Sequence, residues 1–224
     1  MPDYFSHSIC AQKILELSDK SVKKDVTDRT LYMLGAQGGD VFFAYKLSFL
    51  STNLGRKMHA MDAHTLFENL QGENKSYIAG FATHYALDCT LHPLIYAFIS
   101  TQKSPLAHMA FEKDLGLYIS RKFAIPRNIL PCERILERTF TLYDCIVKLE
   151  PRVTVTGIER CLKRHFSYTR AILKSKKQTY KYDYDFSSLS GAVDDAVSFG
   201  VDCVKAAISG NVSSQLFSRS FLER

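Results

Sequence analysis

The run from Tyr77 to Ile99, YIAGFATHYALDCTLHPLIYAFI, constrains this chain more than any other segment, because it is apolar almost throughout yet carries His84, Asp88, His92 and Pro93 in its middle. A membrane span needs about 20 apolar residues, and the run is long enough to be considered one. It does not fit, because each ionisable group at mid-bilayer costs roughly 3 kcal/mol or more unless it lines a polar cavity. The run therefore reads as a helix buried inside a protein, and no transmembrane segment is expected. Positions 84, 88 and 92 are spaced i, i+4, i+8, which aligns an imidazole, a carboxylate and a second imidazole on one face over two turns.

The remaining apolar positions also recur at three and four. Ile9, Ile14, Leu15 and Leu17 mark a first helix, and Leu106, Met109, Phe111, Leu115, Leu117 and Ile119 mark a later one. Further helices are expected near 25–34, 57–70, 132–148, 155–175 and 188–209, the last opening on Ser and Asp residues suited to caps. No alternating run suggests a strand. Glycine and proline fall mostly between these pieces, at GAQGG (35–39), Gly55, Gly72, Pro105, Pro126, Pro131 and Pro151, and Lys174–Ser190 reads as a polar, Tyr-rich connection. No repeat and no linker forces a cut, so residues 1–224 are expected to form a single all-α, multi-helix domain. With 46% hydrophobic and 23% charged residues, the chain has the composition of a globular protein with an ample core.

Several function classes lose support at once. The six cysteines form no CxxC pair, which argues against a redox motif or a zinc ribbon and leaves reduced thiols as the expectation. The first ten residues, MPDYFSHSIC, lack the basic and apolar regions of a secretory signal, so a cytoplasmic location is expected. The excess of 29 Lys and Arg over 23 Asp and Glu is spread along the chain, dense only near Lys20–Lys24 and Lys174–Lys181, and reads as solvated surface.

Five of the seven histidines belong to one ordered series with carboxylates. After His84, Asp88 and His92 come His108 and Glu112, again i, i+4, on a helix whose other residues are largely apolar. Two such helices separated by Pro105 can pack side by side and share a cleft, as bundles do when they build metal sites. Imidazole nitrogen and carboxylate oxygen suit zinc and similar divalent ions. Taken singly, each residue is more often a hydrogen-bonded core group. Taken together, two carboxylates and three imidazoles on apolar faces form a costly cluster unless an ion satisfies them. Upstream, Asp40 ends the loop GAQGGD, where glycines let backbone approach a site, although an N-cap role is equally compatible with its spacing. His59 and His64, five apart, diverge by about 140° on one helix, so only one is expected to join the cluster. His7 lies near the chain start. His165 sits in the basic run LKRHF, where a solvated or phosphate-facing role needs no metal.

The order His7, GAQGGD ending in Asp40, His59, HYALD (84–88), His92 and HMAFE (108–112) resembles the bacterial zinc-dependent phospholipase C family, over about residues 1–120. The resemblance implies an all-α hydrolase holding two or three Zn2+ ions that cleaves phosphodiester bonds, most typically at a phospholipid headgroup. Fungal single-strand nucleases share that fold. Carried over, Asp40, His59, His84 and Asp88 would hold one zinc, and His92, His108 and Glu112 a second. Asp88 would bridge to a third, completed by His7 and the N-terminal amine. A metal-activated water would attack phosphorus, with Asp40 placed to act as its general base.

Phe42, Phe43, Tyr45, Phe81 and Tyr85 lie beside these ligands and can line an acyl or base pocket, although core packing is the commoner role. The C-terminal residues read as a helix and a short polar tail, with no added membrane-binding domain. Two rival functions follow from the same residues. One is a nucleotide or single-stranded nucleic-acid phosphodiesterase, favoured if aromatics and basic residues converge on the cleft, with no stable nucleic-acid complex expected. The other is a non-catalytic helical module that binds metal without turnover.

Overall fold

Short polar side chains set where most helices begin. Asp19, Asp28, Asn53, Asp62 and Asn74 each accept a hydrogen bond from a backbone N–H in the following turn, meeting the donors that a helix start leaves unpaired. The computed structural model describes residues 4–46, 52–102, 104, 106–128, 130, 132–174, 179–212 and 215–221. Within them run α1 (Tyr4–Leu17), α2 (Lys20–Asp25), α3 (Arg29–Gly35), a 3₁₀ segment (Gly38–Ala44), α4 (Leu54–Ala60), α5 (Ala63–Leu70), α6 (Lys75–Ser100) and α7 (Ala107–Phe123). After these come α8 (Cys132–Leu136), α9 (Thr139–Leu149), α10 (Val155–Lys174), a 3₁₀ turn (Phe186–Leu189) and α11 (Ser190–Ser209). Among the described residues there is no strand, only an isolated bridge between Lys46 and Asn53. The all-α class expected from periodicity is the class observed, and no described helix is long and apolar enough to cross a membrane.

Two expected helices are each two: 57–70 divides at Asp62 and 132–148 at Glu137–Arg138, while the helix expected over 25–34 starts only at Arg29, after the Asp28 cap. At Asp28 and Asp62 the capping carboxylate takes over an N–H that an unbroken helix would have used. The start at Thr139 has no side-chain cap. Pro105 and Pro131, expected as breakers, lie outside the described residues, as does part of the Lys174–Ser190 connection. What is described of that connection is less polar in behaviour than in composition: Tyr182 and Tyr184 pack edge-on against Phe98, and Asp114 accepts from the Lys181 and Tyr182 amides at 2.6 and 2.9 Å. Cys10, Cys89, Cys145, Cys161 and Cys203 are buried.

Helix α6 is the axis of the structure. From Ser76 to Cys89 every residue is buried, with α11 along one flank, α3 along another and α1 and α7 alongside. The α3 crossing is unusually close. A Cβ on Gly80 would stand 1.9 Å from Tyr32 O, and one on Gly35 would stand 2.2 Å from Tyr77 O, so backbone lies on backbone at both points. Because α3 runs directly into GAQGGD, this contact fixes where that loop meets α6. Gln37 carries the positioning on to α1 by donating to Ser8 Oγ at 3.0 Å.

One further contact corrects the sequence reading, and a second ties α4 to the residues that follow α9. The C-terminal segment is no polar tail: Phe217 and Phe221 are buried, Phe217 against Phe67 and Phe221 against Tyr85. At the other end of α4, Lys57 donates to Leu149 O and to Glu150 Oε2 at 2.8 Å, while Arg152 holds the same carboxylate bidentately at 2.6 and 2.8 Å.

We predict that Gly80→Ala costs at least about 3 kcal/mol in chemical denaturation, since the atom it meets is backbone that cannot rotate away. For Glu150, the Arg152 guanidinium first and the Lys57 ammonium second outweigh burial and lower its carboxyl from 4.5 to about 2. A folded-state value below the unfolded one means that the contribution is complete above about pH 4.5 and fades as pH falls towards 2. Glu150→Gln should therefore cost about 1–2 kcal/mol at pH 7, allowing for its half-exposed partners, and the difference from wild type should close across that acid window.

Candidate metal centre

Each of the eight sequence-expected ligands reaches one place. His84, Asp88 and His92 come from the α6 stripe, His108 and Glu112 from the first turns of α7, His7 from α1, Asp40 from the 3₁₀ segment and His59 from α4. All but His108, which is part-exposed, are buried. The glycines explain how the loop comes so near. Gly38 has φ +49°, and a Cβ there would fall 2.1 Å from the His84 ring, while one on Gly39 would fall 2.7 Å from the His59 ring.

Asp88 is the hub. Its Oδ2 lies 3.4 Å from His59 Nε2 and 3.3 Å from His84 Nε2, and its Oδ1 lies 3.5 Å from His7 Nε2 and 4.0 Å from His92 Nε2. Asp40 adds Oδ1 at 3.2 Å from His59 Nε2 and Oδ2 at 3.7 Å from His7 Nε2. The His59 and His84 Nε2 atoms are 3.3 Å apart. Ligand atoms about 2.0–2.2 Å from a tetrahedral zinc lie about 3.3–3.6 Å from one another. Four edges of the Asp40, His59, His84 and Asp88 set fall at or within about 0.1 Å of that range.

The hydrogen-bond inventory tests whether protein groups alone satisfy the cluster. Both Asp88 oxygens, Asp40 Oδ1, both His7 nitrogens and His92 Nε2 are buried without a hydrogen-bond partner. Leaving so many polar atoms unpaired in one place is costly. By contrast, the outward nitrogens of two ligands are held: His59 Nδ1 lies 2.7 Å from Gly55 O, and His92 Nδ1 lies 2.7 Å from Phe221 O. An Nδ1–H donated to a carbonyl presents the Nε2 lone pair inward, the arrangement usual for metal-ligating histidines. The buried clusters can thus hold a metal ion, grouped as His7, Asp40 and His84, as His59, His84 and Asp88, and as His92, His108 and Glu112.

The electrostatics agree with a cation-seeking site. Burial alone would raise both aspartates, but the surrounding imidazoles hold Asp40 down at about 2 and Asp88 well below the usual carboxylate range. Burial likewise depresses His7, to about 3, and His84, so both stay neutral and able to ligate. His59 goes the other way: burial would lower it, but the Asp40 and Asp88 carboxylates beside it raise it to about 10.

The structure separates His59 from His64, as expected, for a different reason: they lie on different helices, and His64 is part-exposed beside Glu68 at 3.5 Å. Asp40 is not an N-cap, since it lies inside the 3₁₀ segment. His165 is not solvated either. Its ring packs against Tyr4 and Phe166, its Nε2 is buried without a hydrogen-bond partner, and burial lowers it to about 4. The N-terminal amine, the expected partner of His7, lies outside the described residues.

One side of the cluster opens into a cleft of about 890 Å³, reached by His59, His92, His108 and Glu112 and walled by Phe43, Arg56, Met61, Tyr96 and Met109. Of the five aromatics expected near the site, Phe43 lines this cleft, whereas Phe42, Phe81 and Tyr85 are core. Sequence reasoning missed Arg56 and Tyr96. Arg56 stands three residues before His59, and Tyr96 continues the α6 stripe one turn past His92. Asp40 does not line the cleft. Its buried carboxylate can serve as a ligand or as a base towards a water held in the cluster, and neither role requires contact with substrate.

Comparison with known proteins finds no matching family model, no matching curated protein and no matching solved structure.

We predict that Asp88→Asn strips bound metal from the purified protein, because both of its oxygens serve the cluster. Elemental mass spectrometry should show less than about a tenth of the wild-type content, given the 10- to 100-fold affinity losses that even outer contacts cause. Gly38→Ala should do the same by displacing His84, with helix content unchanged by circular dichroism.

Proposed function

We propose that the protein is a zinc-dependent phosphodiester hydrolase of the phospholipase C type. The observation that carries this reading is the buried group of Asp40, His59, His84 and Asp88, with neighbouring ligand atoms 3.2–3.4 Å apart and orphaned carboxylate oxygens, beside an open cleft that His59 reaches. Zinc held by these residues, with His7 and the His92, His108 and Glu112 set as further ligands, would supply Lewis-acid polarisation of the phosphoryl oxygens and lower the pKa of a water.

The chain's own residues do the rest. Arg56 is exposed on the cleft wall and has no carboxylate partner among the described residues, so it attracts and orients an anionic phosphodiester. Lys57, next to it, is already held by Glu150. Phe43, Met61 and Met109 receive the apolar part of the substrate and displace water from the reacting centre. At the mouth, His108 Nε2 and Glu112 Oε1 are in contact, and with His92 they would hold the ion nearest to bound substrate. A phospholipid headgroup ester is the favoured substrate, on the strength of the motif order. The cleft also supports the nucleotide reading, because Phe43 and Tyr96 line it together with Arg56.

The test is a panel of phospholipids with different headgroups, dinucleotides and single-stranded oligonucleotides, run with the metal-loaded and chelator-stripped protein. Turnover of phospholipid alone, lost on stripping, is the expected result. Turnover of oligonucleotide alone would transfer the assignment to the nuclease reading, and full metal content with no turnover would leave a binding module. Arg56→Ala should raise KM about 10-fold and leave kcat within about 2-fold, as loss of a charge-assisted contact made equally in ground and transition states requires.

A further inference from the structure

Pro93 follows the ligand His92 directly and has no N–H, so the carbonyl of Cys89, four residues back, loses its helical partner. Arg219 fills that gap: its Nη2 donates to Cys89 O at 2.7 Å. The same C-terminal segment is tied one turn earlier, where Tyr85 Oη donates to Leu216 O at 3.1 Å and accepts from the Arg219 amide at 3.1 Å. One turn later, Phe221 O accepts from His92 Nδ1 at 2.7 Å. Thus residues 85, 89 and 92 form a line along α6 that holds the strap Gln215–Phe221, beside the line 84, 88 and 92 that faces the metal cluster. His92 belongs to both. The Phe221 ring, 1% exposed, closes over His59 and His84 with centroids 5.9 and 6.1 Å away.

We propose that Phe221 is a positioning residue for the metal centre, and that docking of the strap is a condition for metal binding by the His92, His108 and Glu112 set. The main-chain carbonyl of Phe221 fixes the His92 tautomer and ring orientation, leaving Nε2 directed inward. Its ring keeps water from the back of the inner imidazoles. Arg219 and Tyr85 hold the strap where that carbonyl is needed. This rests on reading the cluster as a metal centre, and it assigns a metal-linked role to a part of the chain more than 100 residues beyond the last ligand.

The experiment is a zinc titration against a competing chromophoric chelator, with cobalt(II) as a visible probe of coordination, on the full chain and three variants. Deleting residues 222–224 keeps Phe221 and its carbonyl, so this variant should bind zinc as wild type does. Deleting 221–224 should weaken one metal equivalent about 10- to 100-fold and change the cobalt spectrum, with the other equivalent and the helix content retained. Tyr85→Phe, which leaves chain length intact and removes only the hydroxyl latch, should weaken the same equivalent by about 3-fold or more. Wild-type affinity in the folded 221–224 deletion overturns the proposal. Should that deletion fail to fold, wild-type affinity in Tyr85→Phe overturns it instead. A wild-type chain that binds no zinc refutes the metal centre itself, a separate result from a loaded centre indifferent to its strap.

Discussion

Everything in this structure answers to the burial of Asp88. A carboxylate with no exposure, on a helix enclosed on every side, is tolerable only if positive charge or hydrogen-bond donors surround it. The protein provides imidazoles from α1, α4 and α6, and these bring further carboxylates with them, so the problem is answered collectively. The rest of the architecture is what such a gathering requires. Glycine contacts between α3 and α6 bring the Asp40 loop inward, Gln37 ties that loop to α1, and the Lys57–Glu150 pair anchors α4 from the far side.

How much of this was legible in the sequence depends on whether the signal was periodic. The α6 stripe and the His108–Glu112 pair were readable because helical spacing turns sequence separation into direction, and the buried, apolar setting made polar insertions conspicuous. Asp40 was readable from its glycines, although not its depth behind the imidazoles. His59 was harder. Periodicity runs unbroken from 57 to 70, and only the Asp62 cap, a local hydrogen bond, divides α4 from α5 and turns His59 and His64 apart. Cleft residues such as Arg56 and Tyr96 carry no signature of their own, since an exposed arginine and a part-buried tyrosine resemble any surface position until the fold places them.

The C-terminal strap escaped for a related reason. Its polar composition suggested solvent, yet two phenylalanines spaced four apart, Phe217 and Phe221, were the visible hint of a face that needed burying. The stronger clue was the His92–Pro93 dipeptide, which takes a donor out of the middle of a buried helix and so demands an acceptor's partner from elsewhere. Accounting for that single carbonyl leads to Arg219.

The spread of the ligands along the chain bears on how the protein is made. His7 precedes Glu112 by about 100 residues, and the carbonyl beside His92 Nδ1, that of Phe221, follows Glu112 by about 100 more. A chain still on the ribosome holds the inner imidazoles long before it holds the group that orients the outer one. Any ion taken up by the outer set would therefore be held in its final geometry only once residue 221 has been made and docked, so the candidate centre would be completed from the inside outward.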